Sequence, residues 1–107
     1  MENKAMLKGN TQTLILSLLN QKSMYGYEII KKLEISSNGL FNLKEGTLYP
    51  ILHNLEKSKH IESYWEETEA KRKRKYYEIT ENGKKELGKR KHEWSVFQKT
   101  MNDLLIN

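Results

Sequence analysis

Residues 45–57, with the sequence EGTLYPILHNLEK, combine an apolar stripe with an outer face suited to hydrogen bonding rather than to bond-making chemistry. Because an α-helix advances about 100° per residue, four apolar residues share one side and predict attachment to a core. These residues are Leu48, Ile51, Leu52 and Leu55. The other side carries small, stiff or hydrogen-bonding residues: Gly46, Thr47, Tyr49, Pro50, His53, Asn54 and Lys57. This face suits contact with another molecule, and an ordinary amphipathic surface helix is the alternative interpretation.

A second candidate site is the unbroken basic run of residues 71–75, which contains Lys71, Arg72, Lys73, Arg74 and Lys75. Adjacent like charges repel one another, so intramolecular pairing alone does not account for them. The run predicts a loop that binds an anion. The alternative is a solvated loop paired with the acidic residues 66–69, each exposed pair contributing at most about 1 kcal/mol.

The overall composition favours an anionic partner and argues against catalysis. The formal net charge is +5, which favours nucleic acid or an acidic membrane surface. Cysteine is absent, and the single aspartate and three scattered histidines form neither a catalytic triad nor a metal cluster. We therefore expect no enzyme activity, cofactor or metal. The apolar runs are far shorter than the roughly 20 residues that span a membrane, and no secretory segment is recognisable, so we expect a cytoplasmic protein.

The periodicity of the chain predicts the elements that position these two sites. Helical spacing predicts helices over residues 6–20 and over YGYEIIKKLE, followed by a loop at residues 36–42 and the third helix. This is the order of a helix-turn-helix domain. Alternating residues then predict strands at residues 61–66 and 76–80, joined as a hairpin by the acidic and basic segments. The predicted fold class is mainly α with a small β-hairpin.

A last helix is expected to begin at Glu81, capped by Thr80. Its apolar residues form a short heptad seam that Arg90 interrupts: Leu87, Trp94, Phe97, Met101 and Leu104. The seam packs either on the first helix or on a second copy of the chain. Because so long a helix outruns a small domain, we expect a homodimer interface. Trp94 and Phe97 either pack in that interface or contact a ligand.

Four segments resemble the PadR family of bacterial transcriptional regulators: YGYEI (25–29), EGTLYPIL (45–52), KYYEIT (75–80) and Gly83. The likeness runs through nearly the whole chain in the same order. It implies a winged helix-turn-helix domain over residues 1–80, with the third helix in the major groove and the hairpin as a wing on the DNA backbone or minor groove. Residues 81–107 would form a C-terminal dimerisation helix, as in the short subfamily.

The resemblance also implies a function and an effector. Family members are typically repressors that bind a palindromic operator in double-stranded DNA and are released by a small aromatic ligand. In some members of the short subfamily, a tryptophan at the position resembling Trp94 lines such a site between the two subunits. The donors of His53, Asn54 and Lys57 can then reach base edges or phosphates, although an exposed His53 is equally compatible with simple solvation.

Two positions depart from the family pattern. Lys59 and His60 stand where a glycine and a leucine commonly follow the recognition helix, and Lys71 to Arg74 replace the usual glycine and proline of the wing. We expect the first turn to survive with a left-handed backbone. A basic RNA-binding or protein-interaction module on the same scaffold is the alternative function.

Overall fold

Four helices and a three-stranded antiparallel sheet make up the part of the chain that our computed structural model describes, residues 4–106, with side chains from residue 9. The elements are α1 (Lys4–Gln21), β1 (Met24–Tyr25), α2 (Gly26–Ser36), α3 (Glu45–Lys57), β2 (Ile61–Glu67), β3 (Lys73–Ile79) and α4 (Glu81–Ile106). The predicted helices and the hairpin are confirmed, and the fold is a winged helix.

The core explains why α3 keeps one face for the protein and leaves the other free. Leu48, Leu52 and Leu55 are at most 1% exposed, and Ile51 is half-buried against the same core. They pack with apolar residues from α1, α2 and β2, such as Ile15, Ile29 and Ile61. Burying one such side chain contributes about 1.5–3 kcal/mol, so the stripe fixes α3 firmly in the domain.

The sheet has the order β1-β3-β2, and its first strand was not predicted. β1 contains only Met24 and Tyr25, which pair with Tyr77 and Tyr76 in β3. Two residues are too few to show the alternation by which a strand is recognised in a sequence. Tyr25 was therefore predicted as the first residue of the second helix, and Met24 was assigned to no element.

The wing loop is shorter than expected, because β3 begins at Lys73 rather than at residue 76. Lys73, Arg74 and Lys75 lie within the strand, opposite Glu67, Glu66 and Trp65. The connecting turn closes where the Thr68 amide donates to the Arg72 carbonyl at 2.7 Å. Lys71 has φ 60° in this turn. The prediction that residues 68–75 form the loop was wrong for residues 73–75, since strand pairing outweighs the mutual repulsion of the cations.

A tight junction connects α3, β2 and α4. Lys59 adopts the predicted left-handed conformation, with φ 63°, and the following His60 amide donates to the Leu55 carbonyl at 3.0 Å. Thr80 caps α4 as predicted: its hydroxyl oxygen accepts the Gly83 amide at 2.9 Å and its hydroxyl donates to the Lys59 carbonyl at 2.7 Å. The cap therefore also ties α4 to the turn that ends α3.

The first turns of α4 belong to the core of the same chain. Leu87 is 3% exposed, so it has almost no surface left for a partner, and its predicted place in a dimer interface is corrected. Arg90 donates to Glu86 at 2.7 Å and to Gln12 of α1 at 3.1 Å. The interruption of the seam is thus a contact with α1, and Arg90 holds the pKa of the Glu86 carboxyl below its usual value.

Candidate nucleic-acid interface

The outer face of α3 is exposed along its whole length. All seven predicted contact residues lie on it: Gly46, Thr47, Tyr49, Pro50, His53, Asn54 and Lys57. α3 begins at Glu45, directly after Lys44, whose carbonyl accepts the Thr47 and Leu48 amides at 3.0 and 2.9 Å. Pro50 therefore lies in the second turn, where its ring leaves the carbonyl four residues back without a donor.

Two glycines near this face serve different purposes. A Cβ atom at Gly46 would meet nothing within 4 Å, so packing inside the chain does not require glycine there. A Cβ atom at Gly26 would lie 2.6 Å from the Tyr49 hydroxyl oxygen. Gly26 thus admits the tip of the Tyr49 side chain at the start of α2, a role that the sequence did not indicate. The Tyr49 ring remains 44% exposed while its hydroxyl end is held.

The wing places its cations on the surface beside α3. Lys71, Arg72, Lys73 and Arg74 are exposed, and within the described part of the chain none of them forms an ion pair. Glu66 and Glu67 face Arg74 and Lys73 in the strand register without such pairs. The structure therefore lacks the ion pairs that the alternative interpretation requires between the basic run and the acidic residues before it.

Aromatic contacts stiffen the face of the wing that carries Tyr64, Arg74 and Tyr76. Tyr64 stacks on Tyr76 with ring centroids 5.7 Å apart, and Tyr76 meets Tyr25 edge-on at 5.6 Å. The Arg74 guanidinium lies over the Tyr25 ring, 4.0 Å from its centroid. Arg74 is consequently held against Tyr25 of β1, whereas Lys71 and Arg72 lie in the turn at the tip. Sequence patterns do not distinguish these positions, because the five cations are adjacent.

The second half of α4 leaves its apolar residues exposed. Trp94, Phe97, Met101 and Leu104 are 47, 54, 38 and 72% exposed, and the Trp94 and Phe97 ring centroids are 5.8 Å apart. Trp94 also borders an open concavity of about 470 Å³ between α1, the α2–α3 loop and α4. Phe97 does not line it. The two predicted ligand contacts are therefore neighbours, but only one reaches this concavity.

Between residues 4 and 106 no helix is long and apolar enough to cross a membrane. In the same range no group of three or more histidine, aspartate or glutamate side chains is arranged to hold a metal ion.

An exposed third helix beside a basic two-stranded wing defines the class of winged helix-turn-helix domains. Residues 15–89 match the family model described as the transcriptional regulator PadR-like family, and the chain belongs to this family. This membership confirms a transcriptional regulator rather than an enzyme, and it favours DNA-binding regulation over an RNA-binding or protein-interaction module.

Similar proteins agree with this assignment. An uncharacterised protein of Lysinibacillus sphaericus is 39% identical over 89 residues, which cover 83% of this chain and 82% of that protein. A transcriptional regulator from Clostridium thermocellum has a TM-score of 0.85 and 39% identity over 94% of this chain and 98% of its own. A PadR-like transcriptional regulator from Bacillus cereus has a TM-score of 0.86 and 37% identity over 96% and 98% of the two chains.

Proposed function

We propose that this regulator is a cytoplasmic homodimer that represses transcription by binding a palindromic operator in double-stranded DNA. The exposed outer face of α3, opposite the apolar stripe that packs on the core, is the observation that carries the proposal. A helix with side chains is about 10–12 Å across and fits the major groove of B-DNA, which is about 12 Å wide. Two α3 helices of a symmetric dimer would meet half-sites roughly 34 Å apart.

The two candidate surfaces supply different parts of the binding energy. Cations at the wing tip neutralise phosphates, which gives affinity for any duplex and makes that affinity depend on salt. Side-chain donors on α3 read base edges, and an asparagine pairs best with adenine. Gly46 allows the start of α3 to approach a phosphate closely, since a helix N-terminus favours anions. Lys71 and Arg72 thus contribute affinity for any duplex, while His53, Asn54 and Lys57 determine the preference for the operator sequence.

Binding of selected duplexes by matched variants tests this division. An operator selected from random duplexes is labelled and compared with an unrelated duplex by fluorescence anisotropy. Replacing Lys71 and Arg72 with alanine is expected to weaken both duplexes equally. It should reduce the slope of log K against log salt by roughly 4 for the dimer, because each subunit loses two phosphate contacts. Asn54→Ala is expected to weaken the operator alone, by at least about tenfold, because one base contact per subunit is lost.

The double variant Lys85→Ala with Lys89→Ala is the matched control for the wing. It removes the same charge from exposed positions of α4, on the side of the helix away from Trp94, and should leave the salt slope unchanged. If the wing and α3 variants lose affinity equally on operator and unrelated DNA, α3 does not read sequence. Preferred binding of a structured RNA by the wild-type protein would contradict the repressor proposal altogether.

We also propose that a small planar aromatic compound relieves repression by binding at Trp94, with Phe97 as a neighbouring contact. The concavity of about 470 Å³ beside Trp94 supports this, because it lies within the usual size range of small-molecule sites. Such a ligand must bind the DNA-free form more tightly than the DNA-bound form. A compound with equal affinity for both forms would not release the operator.

Calorimetric titration with 4-hydroxycinnamate and 9-aminoacridine tests the effector site. Trp94→Ala is expected to weaken binding of the active compound at least about tenfold through loss of ring contact. The matched change Trp65→Phe, in the other tryptophan, should leave that affinity intact. The same compound should lower operator affinity and restore transcript yield in a purified transcription assay. Affinity unaffected by Trp94→Ala would remove Trp94 from the site.

A further inference from the structure

A groove of about 320 Å³ separates the inner face of the wing from α3. Residues alternate between the two faces of a strand, so Trp65 of β2 and Lys73, Lys75 and Tyr77 of β3 share the face that borders this groove. Tyr49 borders it from α3, and Tyr25, Gly26 and Arg74 also line it. Its lining is therefore aromatic and cationic, which is an unusual combination for a surface that only faces water.

Trp65 stands out on this face because its indole is 64% exposed. The Lys75 ammonium lies 6.0 Å from the centroid of the Trp65 ring and 5.6 Å from that of the Tyr77 ring. These distances are within the range of cation–π attraction, so the two rings hold the ammonium beside the indole. Lys73 and Lys75 form no ion pair within the described part of the chain. Both remain available to an anion.

The two walls of the groove are fixed relative to each other. The Ser63 hydroxyl of β2, two residues before Trp65, donates to the Glu56 carboxylate of α3 at 2.7 Å. The Tyr49 hydroxyl lies against Gly26 at the start of α2, and Tyr77 is 3% exposed in the core. The groove is consequently formed before any partner binds, which reduces the entropy lost on binding.

The geometry of the DNA grooves suggests which part of a duplex would lie in the groove between α3 and the wing. The major groove and the adjacent minor groove are separated by a single sugar-phosphate strand. A protein with a helix in the first and a hairpin in the second must straddle that strand. The space between α3 and the wing is where the strand would pass, and its chemistry fits: ammonium groups for phosphates and a flat apolar ring for the deoxyribose between them.

We propose that this groove clasps one DNA strand, with the Trp65 ring packed on a deoxyribose and Lys73 and Lys75 bound to the flanking phosphates. The proposal rests on the DNA-binding function above and adds Trp65 as a contact that reads no base. Packing on a sugar displaces no counterions, whereas each phosphate contact does. Trp65 thus contributes affinity that is independent of both sequence and salt.

Salt titrations separate Trp65 from the lysines. Trp65→Ala is expected to weaken operator and unrelated duplex alike by about tenfold, with the salt slope unchanged, whereas Trp65→Phe recovers most of the loss. Lys73→Ala with Lys75→Ala should reduce the slope by roughly 4 for the dimer, since each subunit loses two phosphate contacts. Tyr64→Ala, an aromatic change on the opposite face of β2, is the matched control and should change affinity less than threefold. Circular dichroism verifies that each variant is folded.

Hydroxyl-radical footprinting of the operator gives a second readout, because the radical cleaves at the deoxyribose. Wild-type protein should protect the sugars between the major groove that α3 occupies and the minor groove that the wing occupies. Trp65→Ala should lose that protection and keep the protection elsewhere. Unchanged affinity and footprint in Trp65→Ala would overturn the clasp and leave the repressor proposal intact. If the wild-type protein binds no duplex, both proposals fail.

Discussion

Gly83→Ala is expected to lower the free energy of unfolding by about 2–3 kcal/mol, which is a large part of the stability of so small a domain. A Cβ atom there would overlap the carbonyl oxygen of His60 and lie 2.9 Å from its carbonyl carbon and 2.7 Å from Cγ1 of Ile79. The obstacle is backbone, which cannot turn aside as a flexible side chain would. α4 would have to move away from the turn before β2, weakening the cap at Thr80.

Gly88→Ala is the matched control in the same helix. A Cβ atom at Gly88 meets nothing within 4 Å, so alanine adds only its helix propensity and should raise stability by up to about 1 kcal/mol. Urea denaturation followed by circular dichroism measures both variants. Equal free energies of unfolding for Gly83→Ala and Gly88→Ala would contradict the prediction, because α4 could then shift at the junction with β2 at little cost. The family resemblance included Gly83, and this close approach of two backbones gives a physical reason for a glycine there.

The apolar stripe and exposed face of α3 were predictable because both follow from helical periodicity. Periodicity, however, says only that a residue faces something apolar. Leu87 lies on the same seam as Trp94, yet it fills the core of its own chain, with 3% exposure, while Trp94 remains 47% exposed. The sequence does not indicate where α1 ends its contact with α4, and Arg90 marks that boundary only through its bond to Gln12.

The wing was harder to predict because its key features depend on register. The basic run suggested a loop, but Lys73 to Lys75 pair with Glu67 to Trp65 in the sheet. That register brings Trp65 beside Lys75 and sends Arg74 to the other face, against Tyr25. A shift of one residue would exchange the two faces. Trp65 was therefore predicted only as a strand residue, without a binding role.

The second half of α4 raises the question of what covers its apolar face. A helix of 26 residues is about 39 Å long, and residues 91–106 are all exposed. Trp94, Phe97, Met101 and Leu104 lie within about 80° of one another on this helix, which makes a continuous stripe. Stripes of this kind mark interaction surfaces, and a second copy of the chain offers a matching one. This supports the homodimer that we propose, with Leu87 left out of its interface.

Replacing Phe97 and Leu104 with glutamate is therefore expected to raise the dimer dissociation constant at least about 100-fold, since two charges per chain would be buried. Operator affinity should fall at least about 100-fold, because the second half-site no longer binds at high effective concentration. Affinity for an isolated half-site should remain that of the wild type, since α3 and the wing are untouched. Sedimentation velocity and anisotropy with operator and half-site duplexes measure the three quantities.

Val96→Glu is the matched control for this change, because Val96 is 53% exposed, as Phe97 is 54% exposed, but lies outside the stripe, about 100° from Phe97 around α4. It adds a charge to the same helix and should leave both the dimer and operator binding intact. A dimer that resists the double change but dissociates with Val96→Glu would place the interface on the other side of α4. If the wild-type protein is a monomer and binds an isolated half-site as tightly as the full operator, the dimer itself is contradicted, since one recognition helix would then account for all of the affinity.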